Sequence, residues 1–459
     1  MMRVLFATAE LAPVVRVGGL AEAAAGLVTA LRAAGVEVQV VLPDYGGVAL
    51  AEQVEVAVDM PWWAGDARVR RGRHPVAGDL TLVHVPGIDR DHPYVDVAGE
   101  GWPDNDARFF AFSAAVAALA ARERPDVLHL NDWHTAATVG LLPERPPTVL
   151  TVHTLGYQGT ADRSWLDKLV VDAHRFAWFG GTNPLAGAIE LVDRVVAVSP
   201  TYAREIVTPD GGMGLDDRLR ALGDRLVGIR NGIDTAIWHP AHDPHLASRY
   251  DVDDRGGRER CRTALATRAG WRDPKPPIAA MVTRLVDQKG VDLVIDAARF
   301  LAHLPLRLAV LGAGDAGLAG QLRARADADP EHVWFFEGYD EPLAHQLFAG
   351  SDLFVMPSRF EPCGLAQMQA MAYGAIPVVT RVGGLCDTVV DADDDRRAGN
   401  GFTTSVDAAG VVDALHRGVR ALRHGGRRTA IQGRGMTTDW SWDGPAAEHL
   451  ELYRQLVGE

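Results

Sequence analysis

Two basic residues follow a short apolar segment in the second half of the sequence. Arg284 and Lys289 lie in the stretch 284–290, between a predicted strand and a predicted helix. A guanidinium and an ammonium held this close together can neutralise a diphosphate leaving group. A solvated basic turn is the alternative interpretation. Because the chain carries a formal charge of −14, a basic loop at this position favours the diphosphate function.

A carboxylate lies in a second loop of the same half, at residues 358–365. Glu361 precedes a proline, which restricts its backbone to extended geometry and indicates a side chain held by the loop. A helix-cap partner or an ordinary surface acid is the alternative. Cys363 is interpreted as a packed small thiol rather than a nucleophile. The sequence has no Gly-x-Ser-x-Gly motif, which disfavours acyl transfer.

Polar clusters end two predicted strands of the first half, at residues 129–134 and 153–159. Together they contain Asp132 and three histidines, one of which is His153. Because an open α/β sheet binds its ligand at the carboxyl ends of its strands, we favour a functional site over separate structural roles. Zinc binding is the competing function. It is disfavoured because these residues form no His-Glu-x-x-His helix motif.

The tripeptide Gly-Gly-Leu occurs twice, at residues 18–20 and 383–385. Each copy follows Arg-Val, precedes a small residue and an acid, and opens a predicted helix. Helix N-termini present free N–H groups and a positive dipole end, which suit a diphosphate. Two loops that need glycine only for tight turns are the alternative. Neither copy has the Gly-x-Gly-x-x-Gly fingerprint and the chain has no Walker A motif, which disfavours NAD enzymes and P-loop kinases.

The elements that would position these residues alternate between strand and helix along the chain. Strands are predicted at 3–9, 36–42, 126–130, 148–152, 194–198, 278–282, 307–311, 353–356 and 376–379. This alternation predicts an α/β fold with parallel sheets. A segment rich in Asp, Arg and Pro begins near residue 240. It predicts an N-terminal domain over 1–240 and a C-terminal domain over 241–439.

Composition excludes several classes of protein. The 459 residues are 47% hydrophobic and 23% charged, as in ordinary globular domains and unlike disordered chains. The acidic charge disfavours nucleic-acid binding. Three cysteines cannot form a disulfide framework, so we expect a cytoplasmic protein. The longest apolar run, 109–121, is too short to cross a bilayer, and no membrane partner is expected.

The combined motifs resemble one family. The matching stretches are 10–13, 18–20, 43–45, 129–135, 153–159, 198–206, 231–234, 284–290, 358–365, 373–388 and 441–442. On these residues the chain resembles bacterial glycogen synthases and plant starch synthases, which are retaining glycosyltransferases of the GT-B fold. The resemblance implies two Rossmann-like domains facing across a deep interdomain cleft. It also implies that a last helix, within 440–459, crosses back to the N-terminal domain.

The resemblance implies roles for individual residues. The catalytic set would be His153, whose main-chain carbonyl would lie near the anomeric carbon, with Glu361, Arg284 and Lys289. Tyr339 would stack on the base. The whole donor-binding set would be Arg16, Gly18, Gly19, Glu22, Tyr339, Gly383, Gly384, Leu385, Asp387 and Thr388. The transferred sugar or the acceptor would meet Tyr94, Asp132, Thr154, Asn231, Cys363 and Gly364.

The resemblance also implies what the protein would bind. The partners are a nucleotide-activated donor and an oligosaccharide or α-glucan acceptor, while the nucleotide and the oligomeric state stay open. No cofactor and no metal are expected. Arg284, Lys289 and two helix N-termini would balance the charge of the diphosphate instead.

Several positions depart from the family pattern. Residues 366–369 are Ala-Gln-Met-Gln in place of the usual Thr-Gln-Leu-Tyr, and Ala186 stands where a Lys is usual. Three further departures lie at the sugar end of the implied site. Arg16 stands where the family normally has Lys, Glu22 where it has Asp, and Thr154 where it has Asn. Arg and Lys are not equivalent at a phosphate site, so we expect an altered donor or acceptor and weak or absent elongation of glycogen from ADP-glucose.

Three functions remain open on the sequence. The first is transfer of a glycosyl unit from a nucleotide-activated sugar to the 4-position of an α-glucan or oligosaccharide. The alternative is a pseudoglycosyltransferase of acarbose-like biosynthesis, which joins a nucleotide-activated cyclitol of the GDP-valienol type to an amino-sugar oligosaccharide. A non-catalytic sugar-nucleotide or glucan-binding protein is the third, and the retained Glu361 and Lys289 disfavour it.

Overall fold

The chain folds into two compact units. The computed structural model describes residues 1–97 and 99–459, apart from the side chain of residue 302. Unit 1 comprises Met1–Gly232 and Trp442–Glu459, and unit 2 comprises Ile233–Ser441. The division lies before the Asp- and Pro-rich segment from which the boundary near 240 was predicted.

Unit 1 is built on a nine-stranded sheet of order β11-β10-β7-β6-β1-β2-β5-β4-β3. The strands of unit 1 are β1 (Arg3–Ala7), β2 (Glu37–Pro43), β3 (Ala51–Val56), β4 (Arg68–His74), β5 (Gly78–His84), β6 (Val127–Asn131), β7 (Thr148–Val152), β8 (Ala177–Trp178), β9 (Gly181–Thr182), β10 (Arg194–Ala197) and β11 (Leu226–Gly228). Strands β8 and β9 form a separate two-stranded sheet. Neighbouring strands from β11 to β5 pair in parallel. Parallel strands are covered on both faces, which is why β6 and β7 are buried at every position and β1 at every position but the first.

The antiparallel strands β3 to β5 at one edge of this sheet were not predicted. Strand β3 is exposed along nearly its whole length, and β4 carries four arginines and a histidine. Neither strand has the apolar alternation that identifies a half-buried strand from sequence.

Helices cover the sheet of unit 1. They are α1 (Gly19–Ala33), α2 (Asn105–Glu123), α3 (Trp133–Ala136), α4 (Thr138–Leu141), α5 (Pro184–Leu191), α6 (Pro200–Glu205) and α7 (Asp216–Ala221), with 3₁₀ turns at Trp62–Ala64, Arg163–Lys168, Ala173–Phe176 and Gly223–Arg225. Leu20, Leu27 and Leu31 of α1 are buried, at the spacing of one helical face. The chain turns after α1 at Gly35, whose φ of +86° favours glycine.

Unit 2 has a fully parallel six-stranded sheet of order β14-β13-β12-β15-β16-β17. Its elements are α8 (Gly256–Arg268), β12 (Ile278–Leu285), α9 (Val291–Ala297), β13 (Arg307–Gly314), α10 (Ala316–Ala328), β14 (Val333–Glu337), α11 (Glu341–Gly350), β15 (Leu353–Met356), α12 (Ala366–Ala372), β16 (Ile376–Thr380), α13 (Gly383–Thr388), β17 (Phe402–Thr404), α14 (Ala408–Leu422) and α15 (Gly425–Thr437), with 3₁₀ turns at Asp287–Lys289 and Ala298–His303. The predicted parallel α/β class is confirmed in both units.

The last helix, α16 (Asp443–Val457), belongs to unit 1 rather than to the unit that precedes it in sequence. The Tyr453 hydroxyl lies 2.5 Å from Nδ1 of His129, which is on β6. Trp442 lies against Gly26 of α1 so closely that a Cβ on that glycine would fall 1.9 Å from the indole nitrogen. Residues 442–459 therefore complete the core of unit 1.

No helix in the described part of the chain has both the length and the apolar character needed to span a bilayer.

Candidate functional site

A buried glutamate holds the first Gly-Gly-Leu loop, and the sequence analysis did not select it. Glu10 is 4% exposed and follows the end of β1. Its Oε2 accepts hydrogen bonds from the backbone N–H groups of Val17 (2.8 Å) and Gly18 (2.9 Å). Its Oε1 accepts one from the hydroxyl of Tyr94 at 2.7 Å. The backbone that leads into α1 is therefore fixed. An acid directly after a predicted strand was the available signal.

The space beside this loop is open. A Cβ built on Gly18 or Gly19 would meet no atom within 4 Å. A side chain at either position would therefore not clash with the protein itself. The open space at the start of α1 is available to a ligand. Arg16 and Glu22 form an ion pair beside the loop. Two of the three departures at the sugar end of the implied site are thus in direct contact.

The hydroxyl of Tyr94 supports Glu10 through a hydrogen bond and is not free to bind a ligand. Burial and the negative charge of Glu10 hold the pKa of Tyr94 well above its usual value, so the phenol stays neutral and donates to Glu10. The predicted role at the sugar or acceptor side depends on the ring face of Tyr94, since its hydroxyl is engaged.

Asp132 and His153 meet at the carboxyl ends of β6 and β7, as predicted. The Oδ1 of Asp132 accepts a hydrogen bond from the backbone N–H of His153 at 2.7 Å, and the neighbouring backbone N–H of Thr154 also favours the charged carboxylate. The Nε2 of His153 lies 3.0 Å from Oδ1 of Asn131. Both the backbone and the ring of His153 are therefore held in place. The hydroxyl of Thr154 accepts from the N–H of Gly156 at 3.1 Å.

Burial sets the charge of this cluster. Burial raises the pKa of Asp132 to about 7, against the opposing hydrogen bonds from His153 and Thr154. Burial, with the nearby His449, lowers the pKa of His153 to about 3, so its imidazole is neutral near pH 7. Asn231 is 7% exposed and lines a small internal cavity together with His153 and His449. It therefore lies near His153, as the resemblance implies.

The buried histidines of unit 1 predict a pH-dependent stability. Burial lowers the pKa of His134 and His153 to about 3 and that of His449 to about 4. The unfolded chain takes up protons at these positions below about pH 6.5 while the folded chain does not, so their contribution to stability is lost as the pH falls from 6.5 towards 4. We expect the urea midpoint, followed by circular dichroism, to fall over this range. Asp132 opposes this effect, because its raised pKa costs stability as the pH rises from about 4 to 7.

Two variants check the assignment. In His134→Gln, the urea midpoint is expected to decrease less than in the wild type as the pH falls from 6.5 towards 4. The same substitution at the exposed His424 is expected to leave this decrease unchanged. If the urea midpoint fell equally with pH in the wild type and in His134→Gln, buried His134 would not contribute to the pH dependence of stability.

The centre of the site in unit 2 is an ion pair between two predicted catalytic residues. The Nζ of Lys289 lies 2.5 Å from Oε2 of Glu361, and their side chains are 16% and 7% exposed. The hydroxyl of Ser358 donates to the same oxygen at 3.0 Å. The loop after β12 and the loop after β15 thus meet through Glu361. Ser358 was not selected from sequence, since a serine three positions from an acid is common.

Arg284 and Tyr339 are exposed near the ends of β12 and β14. The side chain of Arg284 makes no hydrogen bond or ion pair within the described residues, and the ring of Tyr339 is 76% exposed. Both side chains are accessible to a ligand, in keeping with their predicted roles toward a diphosphate and a base.

The second Gly-Gly-Leu segment makes mostly internal contacts within unit 2. A Cβ on Gly384 would lie 2.2 Å from the carbonyl oxygen of Cys363, so this glycine permits a close backbone contact. Leu385 is fully buried, and the hydroxyl of Thr388 donates to the carbonyl of Gly384 at 2.8 Å. The side chains of Leu385 and Thr388 are thus used internally.

The remaining predicted residues of this region differ in accessibility. The backbone φ values of Gly364 (+74°) and Gly383 (+43°) are positive, which favours glycine at both positions. Cys363 is buried, consistent with a packed thiol. Asp387 is half-buried.

A glycine pattern at the end of β13 was not predicted from the sequence. Gly312, Gly314 and Gly317 have the Gly-x-Gly-x-x-Gly spacing between a strand and a helix. A Cβ on Gly312 would lie 2.3 Å from the carbonyl oxygen of Thr283, and one on Gly314 would lie 2.4 Å from that of Leu285. These two glycines allow β13 to lie close against β12, the strand that carries Arg284.

Carboxylates with the Asp-x-Asp spacing occur at several places in the sequence, and the pair Asp391 and Asp393 near the end of unit 2 is engaged by arginines. Arg417 lies 2.9 Å from Oδ2 of Asp391, and Arg427 lies 2.6 Å from Oδ1 of Asp393. No group of three or more His, Cys, Asp or Glu side chains in the described part of the chain is arranged to hold a metal ion.

Comparisons with known proteins match both units. Residues 3–221 match the family described as the starch synthase catalytic domain, and residues 267–426 match glycosyl transferases group 1. The chain is 43% identical to a glycogen synthase of Halorhodospira halophila, over 99% of each chain. It is 40% identical to a glycogen synthase of Rhodopseudomonas palustris, over 100% of this chain and 99% of the other.

Solved structures agree with these relatives. The catalytic domain of starch synthase IV from Arabidopsis thaliana, bound to ADP and acarbose, superposes with a TM-score of 0.89 at 32% identity. The superposition covers 100% of this chain and 99% of that one. A sucrose-phosphate synthase from Thermosynechococcus elongatus superposes with a TM-score of 0.66 at 18% identity over the whole of both chains, and shares the fold. The chain therefore has the GT-B glycosyltransferase fold and belongs to the glycogen synthase and starch synthase family of glycosyltransferases.

Proposed function

We propose that this protein is a retaining glucosyltransferase that moves glucose from ADP-glucose to the 4-position at the end of an α-1,4-glucan. The similarity to glycogen synthases along the whole chain carries this proposal. The ADP-bound starch synthase supports adenosine as the nucleoside. The comparisons add no support for the pseudoglycosyltransferase alternative.

Unit 2 supplies the groups that would hold the leaving diphosphate. Arg284 is exposed and unpaired within the described residues, so it is available to a phosphate. Lys289 is held by Glu361 and fixed in orientation. A preorganised cation stabilises the developing charge of the diphosphate without reorganising during the reaction.

Unit 1 supplies a backbone carbonyl with a fixed direction. The N–H of the peptide unit that joins His153 to Thr154 is close enough to Asp132 to help lower the pKa of that carboxyl, so it faces the carboxylate. In a trans peptide the carbonyl points opposite to the N–H, so the carbonyl of His153 points away from the carboxylate. This oxygen is the group that the family resemblance places near the anomeric carbon, where it would stabilise positive charge in the transition state.

The structure weakens the case for an altered donor. The expectation of weak elongation rested on Arg16, Glu22 and Thr154 as three separate changes. Because Arg16 and Glu22 pair with each other, a longer acid meets a longer base, and the two changes act as one coupled change. This compensation supports ADP-glucose as the donor.

Transfer of labelled glucose to glycogen tests the proposal. The 43% identical glycogen synthase of Halorhodospira halophila is the reference enzyme, and ADP-, UDP- and GDP-glucose are compared as donors. We expect a rate with ADP-glucose within about tenfold of the reference and retention of the α configuration. No transfer from any of the three donors, with transfer of a GDP-activated cyclitol instead, would refute the proposal in favour of the alternative.

We also propose that the transfer needs no divalent metal. The cations Arg284 and Lys289 are placed to balance the diphosphate, and Asp391 and Asp393 are already paired with arginines. Activity is expected to persist after exhaustive treatment with EDTA. A complete loss that Mg²⁺ or Mn²⁺ alone restores would overturn this expectation.

A cytoplasmic location is part of the proposal. The three cysteines are all free, in keeping with a reducing compartment. Fractionation of cells that express the protein tests the location.

A further inference from the structure

A basic cavity of about 440 Å³ lies in unit 2 at the amino ends of its parallel strands. Pro277 and Asp352, which line it, stand immediately before β12 and β15. Ligands of open α/β sheets bind at the carboxyl ends of the strands, where Arg284 and Tyr339 lie. The cavity is therefore at the opposite edge of the sheet from the predicted nucleotide site.

The charge of this cavity is uncompensated. Four cations line it, Arg262, Lys275, Arg423 and Arg428, against the two carboxylates of Asp273 and Asp352. Asp352 is already paired, since its Oδ2 lies 3.3 Å from Nε of Arg262 and accepts a hydrogen bond from the backbone. Oδ1 of Asp273 accepts from the backbone N–H of Lys275 at 3.0 Å.

The cations differ in how they are held. Lys275, Arg423 and Arg428 have no side-chain hydrogen bond or ion pair to any described residue, so their charges are available. Arg262 is 8% exposed and donates to the carbonyl oxygens of Lys275 and Pro276. Its Nε faces Asp352 in the ion pair described above, and its Nη1 lies 3.5 Å from Oε1 of Glu259, so this guanidinium is fixed in place. A fixed guanidinium surrounded by unpaired cations is a suitable arrangement for an anion.

Neighbouring groups show the same excess of positive charge. Burial lowers the pKa of Arg255, and the charges of Arg258 and Arg428 lower it further against the opposing charge of Asp253. A local basic cavity is conspicuous in a chain with a formal charge of −14.

We propose that this cavity binds a small phosphate-bearing anion, either inorganic phosphate or a phosphate monoester. Its four cations and two carboxylates match the charge of a phosphate dianion. Its volume exceeds that of a phosphate group alone, which leaves room for an organic substituent. The proposal is independent of the transfer reaction, so its failure would leave the proposed function untouched.

Calorimetric titration of the full chain, saturated with ADP to occupy the nucleotide site, tests the proposal. Inorganic phosphate and glycerol 3-phosphate are the two probes. Saturable binding of either probe is expected at millimolar or lower concentrations, and tighter binding of glycerol 3-phosphate would identify a phosphorylated metabolite as the ligand. Absence of saturable binding of both would overturn the proposal.

Substitutions locate the binding. Arg428→Ala is expected to weaken it about tenfold or more, as loss of a charge-assisted hydrogen bond does. The exposed Lys275→Ala provides a second variant with little risk to folding. Arg420→Ala is the matched control, since Arg420 is on α14, is exposed and points to Asp393 outside the cavity. Equal weakening in Arg420→Ala, or none in the first two variants, would show non-specific attraction and refute the site.

Discussion

Replacement of Lys289 with alanine is expected to lower kcat by on the order of 10²-fold or more. The ammonium is 2.5 Å from Glu361, and both side chains are largely buried. The substitution removes one of the two cations placed for the diphosphate. It also leaves the carboxylate of Glu361 with only the hydroxyl of Ser358, so that an uncompensated negative charge faces the leaving phosphate. Steady-state transfer from ADP-glucose to glycogen measures the effect.

Arg284→Ala separates catalysis from stability. The Arg284 side chain is exposed and has no partner among the described residues, so its loss is expected to lower turnover by on the order of 10²-fold without lowering Tm. Lys289→Ala is expected to lower both. Arg299→Ala, an exposed arginine of the same unit, is the control that keeps full activity. Near-normal turnover in both Arg284→Ala and Lys289→Ala would refute the diphosphate assignment.

Asp132→Asn is expected to lower kcat by about 10²-fold while KM for the donor changes less than about threefold. Asparagine keeps one acceptor oxygen and replaces the other with an NH₂ group that cannot accept a hydrogen bond. The backbone N–H groups of His153 and Thr154 then no longer both face a carboxylate, so the carbonyl of His153 is less well aligned with the developing charge.

The pH profile of kcat adds a second readout for Asp132. Burial raises the pKa of Asp132 to about 7, so its carboxyl group ionises as the pH rises through 7. The ionised carboxylate is the better hydrogen-bond acceptor. We expect kcat of the wild type to rise over this range and kcat of Asp132→Asn to lack that rise. A large increase in KM with unchanged kcat would instead assign Asp132 to sugar binding, which is the role implied by the family resemblance.

The parts of the fold that could be predicted are those with a local signal. The central parallel strands of both units are buried on both faces, so their sequences are mostly apolar and identify them directly. Loops such as 284–290 and 358–365 follow those strands, and their charged residues were therefore placed at the correct edge of each sheet. The edge strands β3 and β4 lack this signal because solvent contacts most of their side chains.

The parts of the site that could not be predicted depend on contacts between distant positions. Glu10 supports the loop at Val17 and also meets Tyr94, 84 positions away. Arg16 and Glu22, two departures from the family pattern, form an ion pair that the sequence alone does not reveal. A single sequence identifies each residue but not its partner, so it treats such a pair as two independent changes.

The return of α16 to unit 1 has a consequence for synthesis on the ribosome. Unit 1 begins with Met1 but takes its last core residues from Trp442–Glu459, after about 200 intervening residues that form unit 2. At roughly 5–20 residues translated per second, the first unit waits some 10–40 s for the helix that covers His129 and Gly26. During that delay unit 2, which is contiguous, can fold completely. The domain that is translated first is therefore the one that finishes folding last.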